Sequence, residues 1–172
     1  MNTVVTKASA VIESSAETAW RVLGDYTYDP QWRGAVRRMD QSPPGMVHDG
    51  ARAVEELRIL GRTVVTRVEL HDVRPGASFA WHAIDGSDAY GTRTLVALSE
   101  DRCELRTERH VRLTGADRVL RPLVAWVMAG AERADVARAA ELVARTPVPA
   151  DPTDPTPSEP EPSPGAGPSS GR

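Results

Sequence analysis

The sequence predicts an α+β domain in which a seven-stranded antiparallel sheet packs against one long C-terminal helix, with two short helices after the first strand. Two patterns lead to this fold class. Up to residue 113, short segments with apolar residues at alternate positions follow one another, and the turns between them are too short for parallel crossovers. Beyond residue 115, apolar residues recur every three or four positions, as they do along an amphipathic helix.

The start of the chain predicts a strand and two short helices. The alternation over residues 4–12 is typical of a half-buried strand. Ser14 or Ser15 can cap the following helix, and Gly24 can end it. A short helix or turn is expected around residues 29–32, because the proline inside this stretch prevents a long helix.

Six further strands are predicted between turn signals that contain proline or glycine or are strongly polar. They are expected at residues 36–40, 51–60, 63–73, 78–85, 91–98 and 103–113. Connections of this length produce hairpins, so the strands should form an antiparallel meander that the first strand joins.

The final helix is expected to begin near Asp117, with Pro122 separating a leading turn from the main helix. Its inner stripe should consist of the apolar residues at three- and four-residue spacing. These are Leu120, Leu123, Val124, Val127, Met128, Ala131, Ala134 and Leu142.

Length and composition exclude several classes of protein. The 172 residues are 40% hydrophobic and 26% charged, with a formal net charge of -3, which suits one soluble globular domain. No apolar run approaches the roughly 18 residues that cross a bilayer, and no signal-peptide pattern opens the chain. Cys103 has no second cysteine with which to form an internal disulfide. We therefore expect a cytoplasmic protein with no membrane insertion.

No cofactor and no metal are expected. The four histidines, His48, His71, His82 and His110, are scattered, with one in a turn and three on predicted outer sides of strands. Neither a metal-ligand spacing nor a glycine-rich phosphate loop occurs, and there is no GxSxG elbow. The sequence therefore names no nucleophile.

Composition divides the chain into a domain over residues 1–146 and a tail over residues 147–172. Nine of the fourteen prolines lie in this tail, which carries four acidic residues against Arg172. Such a segment buries too little surface to fold, so we predict a disordered, acidic, proline-rich tail that is either a solubilising extension or a partner-binding arm. The remaining domain is nearly neutral and offers no basic surface for nucleic acid.

The order of these elements resembles the SRPBCC superfamily, the START-like helix-grip proteins that include polyketide cyclases and dehydrases and carriers of the birch-pollen-allergen type. The resemblance is carried by residues 12–20 (IESSAETAW), 23–25 (LGD), 28–32, 50–52 (GAR), 60–62 (LGR), 74–76 (RPG) and the helix over 120–142. It implies a helix-grip fold with a hydrophobic ligand cavity between sheet and helix, and no shared catalytic motif. The sequence departs from the family at Ala53, where a large apolar residue is common.

Three charged residues are candidates for the site because strand parity places them inward. Glu55, Arg93 and Arg109 share a side of their strands with apolar residues. Charges in an apolar interior are too costly to leave unpaired. Either they pair with one another for structural reasons, or they orient a polar group of a ligand.

Five aromatic residues complete the candidate site. Phe79 and Trp81 alternate inward, either as ordinary core or as ligand contacts. The resemblance places Tyr26, Tyr28 and Trp32 over the cavity mouth, where a phenol can donate a proton to an enolising ketone; the alternative is an ordinary surface loop.

These residues lead us to expect a protein that binds a small hydrophobic or aromatic molecule in an apolar cavity. The resemblance implies that catalysis, if present, is cofactor-free and like that of a polyketide cyclase or dehydrase. The alternatives are a non-catalytic lipid or metabolite carrier or sensor, and an interaction module that works through the tail. An inward carboxylate or histidine that reaches an acidic C–H favours the enzyme, and a purely apolar lining favours the carrier. The ligand and the oligomeric state are not determined by the sequence.

Deleting residues 147–172 should leave the thermal midpoint almost unchanged, because the tail has no apolar residues spaced to pack against the domain. Thermal unfolding of the truncated and full chains measures this. A drop of more than about 5 °C would mean that the tail docks on the body.

Overall fold

A computed structural model describes residues 3–59, 61–115 and 119–146 of the chain. The strands are β1 (Thr3–Ile12), β2 (Val36–Ser42), β3 (Arg52–Ile59), β4 (Arg62–Arg74), β5 (Ser78–Asp85), β6 (Ala89–Ser99) and β7 (Arg102–Arg112). The helices are α1 (Ala16–Leu23), α2 (Asp29–Trp32) and α3 (Arg121–Arg145), and a single 3₁₀ turn (Tyr26–Tyr28) precedes α2. The seven strands form one antiparallel sheet in the order β1-β7-β6-β5-β4-β3-β2. The predicted fold class is confirmed: the sheet curls around the long C-terminal helix.

Local signals determine where the short helices begin and end. The Ser15 side chain caps α1 by accepting a hydrogen bond from the Thr18 backbone N–H at 3.1 Å. The Gly24 N–H closes the helix on the Trp20 carbonyl at 2.7 Å. A proline in the first turn of α2 has no N–H to lose there, so it starts this helix and prevents a longer one from running through.

Strand parity agrees with the prediction for the central strands. Phe79 on β5 and Arg93 on β6 are buried between sheet and helices. On the opposite face of the sheet, the His71 and His82 rings lie 5.2 Å apart, and Tyr90 stacks on His110 at 4.4 Å. The three strand histidines thus lie on the outer face, as the sequence indicates.

The inner face of α3 differs from the prediction. Leu142 is buried as predicted, and Val124 and Met128 are half-buried. The other members of the predicted stripe are exposed, namely Leu120, Leu123, Val127, Ala131 and Ala134. The remaining buried residues of the helix are Glu132, Asp135, Val136, Ala139 and Val143. Both sets have helical spacing, so periodicity alone does not distinguish them. The buried face contains two carboxylates that meet arginines of the domain.

The helix begins at Arg121 with Pro122 in its first turn. The predicted cap at Asp117 and the predicted tail over residues 147–172 lie outside the described residues. Of the helices that the structure describes, none is both long and apolar enough to cross a membrane.

Gly91 on β6 allows a close approach that shapes the interior. A Cβ at this position would lie 2.3 Å from the Glu108 carbonyl oxygen and 2.9 Å from Cζ2 of Trp81. Real Cβ atoms do not approach other heavy atoms so closely, so only glycine fits here. The missing side chain lets the Trp81 indole lie across β6 beside Arg109.

Candidate functional site

A cluster of buried charges lies between α2 and the inner face of the sheet. Asp29 is completely buried, and its Oδ2 atom accepts hydrogen bonds from Arg93 Nη2 at 2.8 Å and Arg33 Nη1 at 3.1 Å. The same Arg33 nitrogen lies 2.5 Å from Glu55 Oε1, in ion-pair contact. Arg93 Nη1 also donates to the Leu23 carbonyl at 2.5 Å. Two carboxylates and two guanidinium groups therefore compensate one another out of contact with solvent.

Aromatic rings surround the Arg93 guanidinium. Its central carbon lies 5.3 Å from the Tyr26 ring centroid, 4.7 Å from that of Trp32 and 5.0 Å from that of Phe79. Within about 6 Å, the negative face of an aromatic ring attracts a cation. These rings compensate part of the hydration that the guanidinium loses on burial.

A second group of charges connects α3 to the sheet. Glu132 Oε2 lies 3.6 Å from Arg109 Nη2, and the Arg109 guanidinium carbon lies 5.9 Å from the Trp81 ring centroid. Glu132 is buried, although it lies on a long helix where a glutamate ordinarily faces water. Its burial is compensated by the arginine of β7.

Asp135, one turn further along α3, fixes the loop after α2. Its Oδ1 atom accepts a hydrogen bond from the Gly34 backbone N–H at 2.9 Å and also pairs with Arg138. Arg138 Nε in turn donates to the Trp32 carbonyl at 2.8 Å. These contacts hold α2, and the Trp32 side chain with it, against α3.

Between the two charged groups lies a small interior cavity of about 20 Å³. Tyr26, Trp32, Trp81, Arg93, Arg109 and Glu132 contribute to its walls. This volume holds about one water molecule. The cavity therefore differs from the prediction in this structure, because it is small and its walls are mostly polar rather than apolar. Ala53, the expected determinant of cavity size, lies in the packed core and not on these walls.

Two hydrogen-bond donors on the cavity walls lack a partner. Trp32 Nε1 and Arg109 Nε are buried and bond to nothing among the described residues. The hydroxyl of Thr107, on the same walls, is also buried and has no hydrogen-bond partner among the described residues. Buried polar atoms in native proteins are nearly always paired with protein or water, so donors that converge on one cavity indicate a place for an acceptor.

Burial shifts the pKa values of several groups around the cavity. It raises the pKa of the Tyr26 phenol well above its usual value, so this group is a protonated donor at neutral pH. Burial, together with the nearby Arg33 charge, lowers the pKa of Arg109. Burial also raises the pKa of Asp135. A ligand oxygen at the free Nε of Arg109 would add to the compensation that Glu132 gives this charge at 3.6 Å.

The structure brings most of the sequence-predicted candidates together. Five of the eight line the cavity, namely Tyr26, Trp32, Trp81, Arg93 and Arg109. Glu55 and Phe79 lie directly behind it. Tyr28 packs on the core without reaching the cavity. Tyr26 and Trp32 are buried, so the alternative of an ordinary surface loop does not hold for these two residues. Among the alternatives for the inward charges, pairing of Glu55 with Arg93 or Arg109 is not observed, because Glu55 pairs with Arg33.

Sequence reasoning missed Asp29, Arg33 and Glu132. The first two had a detectable signal, because an acid and a base four residues apart face the same side of a helix. No such signal exists for Glu132, which lies on the face that apolar spacing predicts to be exposed.

The described part of the chain contains no group of three or more His, Cys, Asp and Glu side chains arranged to hold a metal ion. Cys103 is buried, and burial raises the pKa of its thiol, which makes it a poor nucleophile.

Comparison with known proteins gives a family match and several structural neighbours. The sequence profile of the family described as polyketide cyclase / dehydrase and lipid transport matches residues 3–144. No curated protein sequence matches the chain significantly.

Three solved structures show the shared fold. The chain resembles an aromatase/cyclase from a Streptomyces species (TM-score 0.69, 14% identity, 83% of this chain and 94% of that one). It also resembles a START superfamily protein from Mycobacterium smegmatis (TM-score 0.57, 14% identity, 81% of this chain and 99% of that one). A third neighbour is norcoclaurine synthase from Thalictrum (TM-score 0.58, 14% identity, 83% of this chain and 94% of that one). At such low identity these neighbours establish the fold and not the activity.

The pairing of Glu55 can be tested with double-mutant cycles. Glu55→Gln should reduce the free energy of unfolding by about 3–5 kcal/mol, because Arg33 loses a buried counter-charge. The cycle with Arg33→Met should show strong coupling, and the cycle with Arg109→Met should be nearly additive. Urea denaturation measures the free energy of unfolding of the wild-type protein and of each single and double variant.

The control is Glu69→Gln, which removes a partner from the exposed pair between Arg52 and Glu69. This change should cost less than about 1 kcal/mol. Additivity of Glu55→Gln and Arg33→Met to within about 0.5 kcal/mol would contradict the observed pairing.

Proposed function

The chain belongs to the family described as polyketide cyclase / dehydrase and lipid transport, and from this we propose that it binds a small hydrophobic or aromatic molecule whose polar end is a hydrogen-bond acceptor. The molecule would lie between the sheet and α3, with its acceptor at the cavity described above. The observation that carries this proposal is the pair of buried donors without partners, Trp32 Nε1 and Arg109 Nε.

The chemistry of these two donors selects the polar end of the ligand. An indole N–H and a guanidinium can only donate, so an ether, amine or hydrocarbon would satisfy them less well than a carbonyl, carboxylate or phenolate oxygen. A ligand without an acceptor would leave both donors buried and unpaired, which costs about 1–3 kcal/mol for each.

The walls around the donors suit an aromatic ligand body. Two of the residues that line the cavity are the aromatic residues Tyr26 and Trp81. A drug-sized ligand needs a site of about 300–1,000 Å³, so binding requires this small cavity to enlarge. Trp81 is only partly buried, and the segment of α3 before Glu132 contains no buried residue. Both can therefore move with little loss of core packing.

The charged groups at the cavity support cofactor-free chemistry on a ketone. Of the two glutamates on the cavity wall, Glu108 pairs with Lys7 and His110. Glu132 is therefore the general base that takes a proton from a carbon next to a carbonyl. Arg109 and Trp32 donate to the carbonyl oxygen and stabilise the developing enolate. Tyr26, held protonated by burial, supplies a proton to the oxygen of the second carbonyl that the enolate attacks. Tyr26, now a phenolate, takes a second proton from the same carbon of the aldol, and protonated Glu132 gives its proton to the departing hydroxyl. Water leaves, a carbon–carbon double bond forms, and both side chains return to their starting states.

The competing function is a carrier that holds the same ligand without changing it. A carrier needs the donors to hold the ligand, but it does not need a carboxylate that faces the ligand. In this protein Glu132 is buried on α3, and burying its charge costs free energy of folding. This carboxylate is the observation that favours the enzyme over the carrier.

Binding can be tested with two probes that differ only in an acceptor, 2-acetylnaphthalene and 2-ethylnaphthalene. We expect the ketone to bind at least about 10-fold more tightly, because only it pairs the free donors. Arg109→Met should remove this preference, and the control Arg112→Met, which alters an exposed pair with Asp88, should retain it. Titration calorimetry measures the affinities. Equal affinity of both probes for the wild-type protein would contradict the proposed acceptor site.

Turnover can be tested with the linear triketone heptane-2,4,6-trione, which cyclises with loss of one water to 5-methylresorcinol. Ultraviolet absorbance follows the aromatic product. We expect acceleration by the wild-type protein and a loss of at least about 100-fold in Glu132→Gln, since the general base is removed. Binding of the ketone probe with no acceleration of this or a longer polyketone would assign the protein to the carrier class.

A further inference from the structure

Two histidines that lie apart in the sequence meet on the outer face of the sheet. His71 on β4 is in register with Ala80, and His82 on β5 is in register with Glu69, so the two imidazoles are diagonal neighbours across one hairpin. Their ring centroids lie 5.2 Å apart. The sequence shows no metal-ligand spacing among its histidines, because only the hairpin brings these two together.

The separation of the two rings is that of imidazoles bound to one ion. Bonds of about 2.0–2.1 Å from a tetrahedral zinc ion to two imidazole nitrogens place the ring centroids about 5 Å apart. The rings are also tilted by 55°, whereas the Tyr90 and His110 rings beside them stack nearly parallel at 11°. The histidine pair is therefore not a face-to-face stack of the kind found next to it.

Asp72 fixes the orientation of the His71 ring. Its Oδ2 atom lies 2.8 Å from His71 Nδ1, and because a carboxylate accepts hydrogen bonds, Nδ1 is the donor. The other ring nitrogen, Nε2, is then unprotonated and has a free lone pair. Histidines that bind metals ordinarily donate their second ring N–H to a carboxylate or carbonyl in this way.

We propose that His71 and His82 bind one divalent cation of the late first transition row, such as Zn²⁺, Ni²⁺ or Cu²⁺, with His71 bonding through Nε2. Imidazole nitrogens suit these ions, whereas Mg²⁺ and Ca²⁺ take oxygen ligands. Glu69, opposite His82, is engaged elsewhere, because its Oε2 accepts a hydrogen bond from Arg52 Nε at 2.9 Å. Two protein ligands therefore hold the ion, and water fills its remaining positions.

The site is open to solvent and separate from the cavity. The His71 side chain is 43% exposed, and both histidines lie on the face of the sheet opposite the cavity. The bound ion would join β4 to β5 where the register between these strands shifts, next to His71. This site does not depend on the proposed function, because no residue of the cavity wall takes part in it.

Titration calorimetry of the full chain with zinc chloride and with magnesium chloride tests the site. We expect one Zn²⁺ per chain with a dissociation constant in the micromolar range and no measurable binding of Mg²⁺. His82→Ala should weaken Zn²⁺ binding at least about 10-fold, because even a partner that only orients a ligand contributes this much.

The matched control is His110→Ala, which removes another histidine of the same face, one that pairs with Glu108. This variant should bind Zn²⁺ as tightly as the wild-type protein. Circular dichroism verifies that both variants fold.

Asp72→Gly tests the orienting carboxylate. Asp72 has a φ of 53°, which glycine adopts without strain, so the variant removes the carboxylate and keeps the backbone. We expect Zn²⁺ affinity to fall about 10-fold. Unchanged affinity would overturn the role assigned to Asp72.

Nitrogen chemical shifts of the imidazole rings show whether one ion binds both histidines. Zn²⁺ is diamagnetic, so the ¹⁵N signals of His71 and His82 should shift together and stop shifting at one equivalent, while those of His48 and His110 stay in place.

Three results would overturn the site. One is a wild-type protein that binds no Zn²⁺, or that binds Mg²⁺ equally well. Another is an equal loss of affinity in His82→Ala and His110→Ala. The third is a shift of only one of the two rings, because a single surface histidine would then take up zinc by itself.

Discussion

The carboxylate oxygen Oδ2 of Asp29 lies between two guanidinium groups, and the interior of the domain is arranged around this contact. It joins α2 to β6 through Arg93, and through Arg33 and Glu55 it joins α2 to β3. Removing one member would leave a buried charge uncompensated at a cost of several kcal/mol. The short helices therefore cannot slide over the sheet, and the aromatic rings that they carry keep a fixed position at the cavity.

The long helix α3 has charged and apolar residues on both of its faces. Its buried face carries Glu132 and Asp135 among apolar residues, and its exposed face carries Leu123 and Trp126. The inner carboxylates are tolerated because they meet Arg109 and Arg138. The outer apolar residues are exposed, and none of the residues that the structure describes covers them.

Fold and function rest on different residues in this protein. The curled sheet and long helix are shared with structures only 14% identical, so they do not depend on particular side chains. The proposed reaction depends on donors and a carboxylate that converge on a cavity of about 20 Å³. Because this cavity is far smaller than the site that a drug-sized ligand needs, the binding step and the chemical step would both begin with movement of its walls.

The sheet, the two caps of α1 and the inward direction of Glu55, Arg93 and Arg109 follow from the amino-acid sequence alone, because a period of two and a capping serine are local properties of the chain. The pairing of the charges does not, since Arg33 and Glu55 lie on elements whose relative position depends on the packing of the whole domain. The buried face of α3 is also a property of the folded domain. Periodicity assigned Leu123 and Val127 to the inner stripe, whereas packing on the sheet buries a face that includes Glu132 and Asp135 and leaves those two apolar residues exposed.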